Sequence, residues 1–168
     1  MHPLVKLAKD TVEQYIQNKK IIGPPADPVP EMTAKTGVFV SLKKKGELRG
    51  CIGTFHSTTE NIATEIIQNA ISASTQDPRF PPVTKSELPV LEYSVDVLTE
   101  PEKIKSKKEL NPRKYGVIVK SGDRKGLLLP DLEGVDTVDE QVSIASMKAG
   151  IYVGEDIELY RFEVKRYK

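Results

Sequence analysis

The order of apolar patterns along the chain predicts an α+β protein. It reads as two copies of a hairpin–helix–strand unit that form a mainly antiparallel sheet with helices packed on it. Three observations carry this. Gly37-Val38-Phe39-Val40 is echoed by Gly116-Val117-Ile118-Val119. Ser57-Thr58-Thr59-Glu60 and Thr137-Val138-Asp139-Glu140 both fit the capping box that opens a helix. Leu91, Tyr93, Val95 and Val97 alternate with polar residues, as do Tyr160, Phe162 and Val164, the pattern of a half-buried strand. The echoes come in the same order, with repeat 1 at about 33–100 and repeat 2 at about 113–166 of a single domain spanning 1–168. One such unit cannot cover both faces of its own sheet, whereas two share a core.

The elements follow in order. Leu4, Leu7, Ala8, Val12, Tyr15 and Ile16 fall on one side of an amphipathic helix. The proline-rich stretch Gly23–Pro30 ends it and predicts an extended connector. Lys43-Lys44-Lys45-Gly46 reads as the turn of a hairpin whose second strand is Leu48–Phe55. Ile62, Ala63, Ile66, Ile67, Ala70 and Ile71 continue as a helix, stopped by Asp77-Pro78-Arg79-Phe80-Pro81-Pro82. Thr84 to Glu87 caps a short turn before Pro89. Residues 102–114 are polar and read as a connector with a helical turn. Beyond them, Ser121-Gly122-Asp123 is a second hairpin turn and Gly126–Leu129 its returning strand.

Composition narrows the function classes. The 168 residues are 38% hydrophobic and 29% charged, as in ordinary globular proteins, and no apolar run approaches the ~20 residues of a membrane span. Met1-His2-Pro3-Leu4 opens directly into a helical pattern, without a secretory leader. A single cysteine forms no internal disulfide and builds no cysteine-rich zinc site, so the expected compartment is the cytoplasm. Two histidines and irregular acids give no metal-ligand spacing, and no cofactor is expected. The net charge of +1 gives no global footprint for nucleic acid, and the lysine clusters at 43–45, 103–108 and 165–168 read as solvated surface.

The chemistry concentrates in Leu48-Arg49-Gly50-Cys51-Ile52-Gly53-Thr54, whose counterpart in the second copy is the aliphatic Gly126-Leu127-Leu128-Leu129. Strand alternation predicts Arg49, Cys51 and Gly53 on one face, with the thiol beside an empty glycine position, in a cleft shared with the Asp77–Pro82 loop. Cys51 is a candidate nucleophile with Arg49 as its activating cation and His56 as a candidate base; the alternative is a buried cysteine acting as a small hydrophobe. Arg49 suits an anionic ligand or a structural acid such as Asp77 or Glu60. Asp77 and Arg79 lie in a proline-braced loop, where they bind a ligand or brace the fold.

The heptapeptide resembles the hallmark of the AMMECR family. Asp77–Pro82, Glu87-Leu88, Gly126–Pro130 and Lys148-Ala149-Gly150 resemble its further blocks, in order. The resemblance implies an α+β fold of two unequal lobes built by duplication. It implies no settled reaction. It does imply association with Memo-type and radical S-adenosylmethionine proteins in a shared modification pathway. On this reading Arg49, Gly50, Gly53, Thr54, Asp77 and Arg79 are the candidate ligand-binding residues, and the protein is a binding or adaptor component. The alternative is a cysteine-dependent enzyme acting through Cys51 on a small molecule or a modified residue.

Overall fold

A computed structural model describes residues 1–168. The chain divides into two compact units, Met1–Val97 with Lys165–Lys168, and Leu98–Val164.

In the first unit, helix α1 (Pro3–Asn18) is followed by strands β1 (Val38–Lys44) and β2 (Glu47–Gly53), helix α2 (Ile62–Thr75) and strand β3 (Leu91–Leu98). The last strand of the chain, β8 (Val164–Tyr167), completes an antiparallel sheet of order β2-β1-β3-β8. Pro3 at the first helical position and His2, whose Nδ1 accepts the Leu4 N–H, start α1. Val38, Val40 and Leu42 of β1 are buried, and so are Val95 of β3, Leu4, Ala8 and Val12 of α1, and Ile66 and Ala70 of α2. They form one core. The hairpin turn is Lys45–Gly46, both at positive φ (52° and 81°), the twist that matches a two-residue hairpin.

The second unit holds β4 (Glu102–Ile104), β5 (Gly116–Ser121), β6 (Arg124–Leu128), helix α3 (Val138–Lys148) and β7 (Glu158–Phe162). Its sheet runs β4-β7-β5-β6, again antiparallel. Val117, Val119, Leu128, Val142, Ala145 and Leu159 form its core.

The predicted α+β class, antiparallel strands with helices packed on them, is the fold observed, but the expected single sheet with one shared core is instead two four-stranded sheets, each with its own core. Three local expectations are corrected. Ser57 does not cap α2; Asn61 does, accepting the Thr64 N–H at 2.9 Å. Residues 57–59 instead wrap the carboxylate of Glu65, which lies inside the helix. The predicted connector at 102–114 contains the short strand β4, so the second unit begins well before 113. The run through Phe162 and Val164 is two strands, β7 and β8, which belong to different sheets.

Two glycines fix how closely helix and sheet approach. A Cβ on Gly50 of β2 would lie 2.2 Å from the Ala73 carbonyl oxygen of α2, and one on Gly126 of β6 would lie 1.9 Å from that of Ala145 of α3. Both neighbours are helix backbone, so a methyl group there must push the helix away. We predict that Gly50→Ala and Gly126→Ala each lower stability by about 1–3 kcal/mol or more in urea unfolding, while Gly23→Ala, with open space around it, changes little.

Candidate functional site

Strand β2 lies at an edge of its sheet, so one side of its backbone has no partner strand. The Asp77–Pro82 loop seals that side. The Cys51 N–H donates to Asp77 Oδ2 at 3.0 Å, and the Cys51 carbonyl accepts from Arg79 Nη2 at 3.4 Å. The Asp77 carboxylate also accepts from the Arg79 N–H (3.0 Å), Nε (3.0 Å) and Nη2 (2.8 Å). Its side chain is only 2% exposed. The Arg79 hydrogen bond, the largest effect, holds this carboxyl far below the usual carboxylate range, with the two backbone N–H groups helping against the cost of burial. Asp77 and Arg79 therefore bind each other and the strand edge.

The Arg49 guanidinium makes no bond to the Cys51 thiol and turns to other partners. Leu42 pairs with Gly50 and Lys43 with Leu48, so Arg49 is the extra residue of a β-bulge with no partner on β1. The bulge re-aims its guanidinium along the loop. Nε and Nη2 donate to Glu87 at 2.8 and 3.2 Å, and Nη2 also reaches the Pro82 carbonyl at 3.3 Å. Lys44 Nζ joins the same carboxylate at 3.2 Å, and Glu87 itself caps the turn through the Thr84 N–H. The Arg49 hydrogen bond is the main reason that the Glu87 carboxyl is lowered to about 2. Both guanidinium groups flank the Phe80 ring, Arg79 at 5.4 Å and Arg49 at 6.0 Å from its centroid.

The Cys51 thiol lies opposite Ser41 across the β1–β2 pair, and Sγ accepts the Ser41 hydroxyl at 3.2 Å. Burial pushes this thiol up from its ordinary value; the Ser41 hydrogen bond and the nearby Arg79 charge oppose that without cancelling it. No histidine or carboxylate is bonded to the sulfur. His56 is exposed on the segment after β2. The Gly53 position is not empty: a Cβ there would lie 2.2 Å from the Phe39 ring, which occupies the space.

Thr54 joins a different network. Its hydroxyl donates to Glu65 at 2.5 Å and lies 3.3 Å from Asn69 Nδ2, which also donates to the Val38 carbonyl. The fully buried Glu65 carboxylate further accepts from the N–H and hydroxyl groups of Thr58 and Thr59 and from the Ser57 hydroxyl. Despite its burial this shell of donors lowers the carboxyl. Sequence reasoning missed Glu65 and the Arg49–Glu87 pair. A signal for the first was present: Glu65 and Asn69 are polar residues one helical turn apart within an apolar pattern, next to a run rich in Ser and Thr. No group of three or more His, Cys, Asp or Glu is placed to hold a metal ion.

A helix-backed antiparallel sheet whose edge strand carries the hallmark and is sealed by an Asp–Arg loop defines the class. The chain belongs to the AMMECR1 family, whose sequence profile matches residues 5–167. It is 54% identical to a protein of Thermotoga maritima, covering 99% of this chain and 98% of that one. It is also 54% identical to the protein CA_C1420 of Clostridium acetobutylicum, covering 99% of this chain but only 36% of that longer protein. Among solved structures, the uncharacterised protein PH0010 of Pyrococcus horikoshii has the same fold, with a TM-score of 0.87 and 36% identity over 97% of this chain and 88% of that one.

The Glu87 pair makes a signed pH prediction. Its folded carboxyl lies near 2, below the about 4.3 of an unfolded glutamate, so its contribution is complete above about pH 4.5 and is lost as pH falls towards 2. Glu87→Gln should flatten the acid limb of a stability–pH curve measured by denaturant unfolding. Arg49→Ala leaves a nearly buried carboxylate to Lys44 and Thr84, and should cost about 2–4 kcal/mol at pH 7.

Proposed function

We propose that this protein is a binding or adaptor component of a modification pathway, and that its working surface is the ridge of residues 77–82 seated on β2. One observation carries the reading: Cys51 serves the ridge through its backbone, while its thiol is half-buried, raised in pKa and bonded to a serine, with no base bonded to it. A protonated thiol is a poor nucleophile. The ridge itself is rigid and turned outward. Pro78, Arg79, Pro81 and Pro82 are exposed, Phe80 is half-buried between two guanidinium groups, and the Arg79 side chain is 55% exposed. Fixed proline and arginine side chains on a rigid loop suit recognition, because little flexibility is lost on binding.

The pathway is that implied by the family resemblance, with Memo-type and radical S-adenosylmethionine proteins as partners and the cytoplasm as its place. A component role is in keeping with the Clostridium relative, in which a stretch like this chain is one part of a larger protein. No helix of this chain is long and apolar enough to cross a membrane. We further propose that the whole chain is one domain whose two units are copies of an ancestral unit. Supporting this, hairpin, third strand and extra strand lie in the same order in both sheets, and each hairpin's second strand carries a glycine against a helix carbonyl. Glu65 and Gln141, both fully buried, each stand four residues after a helix cap.

Cys51→Ser keeps the backbone groups that hold the ridge and nearly keeps the volume. On the binding reading it leaves the thermal melt and a host complementation assay unchanged, and alkylation of the wild-type thiol is slow at pH 7, accelerating only above the ordinary thiol range. An intact melt with lost host function, together with rapid alkylation near neutral pH, would establish the cysteine-dependent enzyme instead.

A further inference from the structure

The second unit carries an apolar surface remote in sequence from the hallmark. Five of the nine exposed large apolar side chains fall between residues 144 and 157: Ile144, Met147, Tyr152, Val153 and Ile157. Met147 is 75% exposed, Tyr152 77%, and Val153 fully so. Ile144 and Met147 are three residues apart and form a row on the outer face of α3. The helix then ends in a Schellman motif. The Gly150 N–H donates to the Met147 carbonyl and the Ile151 N–H to that of Ser146, with Gly150 at φ +69°. This folds the buried Ile151 back on the last helical turn, and the exposed Tyr152 and Val153 follow directly after it.

The turn that presents them is pinned. The Tyr152 N–H donates to the Glu155 carboxylate at 2.6 Å, and the Glu155 N–H to the Tyr152 carbonyl at 3.2 Å. Arg124 holds both the Glu155 carboxylate and the Gly150 carbonyl. An aromatic and an aliphatic side chain exposed on a pinned turn have the character of binding anchors.

Charge selects the occupant. Residues 131–158 contain eight carboxylates against a single lysine, Lys148. Cations from elsewhere in the unit pair with five of them, and Glu133, Glu140 and Asp156 have no ion pair. Glu140 precedes Ile144 by one helical turn, and Asp156 adjoins Ile157. Two copies placed face to face on this surface would bring like charges together, which disfavours self-association. We propose that the α3 row and the Tyr152–Val153 turn form a docking surface for a basic amphipathic helix of a partner protein, its apolar side on Met147 and Tyr152 and its lysines or arginines towards Glu140 and Asp156.

The test uses the full chain and a dye-labelled helical peptide of roughly 15 lysine and leucine residues in an amphipathic pattern, followed by fluorescence anisotropy at low and high salt. Two control peptides keep the pattern with glutamate for lysine, or scramble the same composition. Met147→Ser with Tyr152→Ser lowers affinity for the lysine peptide at least tenfold while leaving the thermal melt unchanged. Glu140→Gln with Asp156→Asn weakens binding at low salt and flattens its salt dependence. Wild-type affinity in the Met147/Tyr152 variant would overturn the proposal, as would equal binding of either control peptide. Sedimentation of a wild-type dimer that this variant dissociates would also overturn it, assigning the surface to a second copy.

Discussion

The hallmark end of the first unit depends on one carboxylate. Asp77 accepts four N–H bonds, one from the Cys51 backbone, one from the Arg79 backbone and two from the Arg79 side chain, at a site almost closed to water. A buried carboxylate is tolerated only when its lone pairs are used in this way. The same bonds join a helix-terminating loop to a sheet edge, replace the missing neighbour of β2, and orient the guanidinium that reaches the Cys51 carbonyl. Arg49 repeats the arrangement one step along, tying the bulge of β2 to Pro82 and Glu87. The hallmark residues and the proline-braced loop are thus one mechanical unit, held by the largely buried carboxylates of Asp77 and Glu87.

Much of the fold was legible because its periodicities are clean. Val38, Val40 and Leu42 alternate, and Leu4, Ala8 and Val12 follow a helical stripe, so burial of one face settles each element type. The capping box at Thr84–Glu87 was equally readable, since it is a local contact. The errors arose where a distant group competed with a local one. Ser57 has the right residues after it for a cap, but Glu65 offers a buried charge that needs donors, and the loop serves it instead. The break between β7 and β8 lies at Glu163, whose N–H donates to the Thr99 hydroxyl and whose carbonyl accepts from the Thr99 N–H, a pairing 64 residues apart that no local pattern announces.

The candidate site was legible in membership and illegible in geometry. Cys51, Asp77 and Arg79 are joined by hydrogen bonds, while Arg49 turns to Glu87 and Pro82. Their bonding partners are set by contacts distant in sequence, Arg49 with Glu87 and Cys51 with Asp77, which composition does not announce. Alternation predicts Arg49 beside the thiol, whereas its guanidinium is bonded to Glu87. Gly53 likewise reads as a vacancy until Phe39, opposite it on β1, is seen to lie across it. Glycine in a strand marks close approach, and sequence does not say whether the approaching group belongs to a ligand or to the protein itself.

The closing strand β8 gives the first unit an unusual dependence. Its Arg166 makes two hydrogen bonds to Asp96, at 2.7 and 2.9 Å, and the Asp96 side chain is nearly buried on β3. All of the second unit lies between these partners in the chain. During synthesis the ribosome therefore releases every residue of the second unit before the first can finish its sheet and neutralise Asp96. Although it leads the sequence, the hallmark-bearing unit is the last to be completed, and a nascent chain stalled short of β8 would hold an unfinished sheet edge with an uncompensated charge beside it.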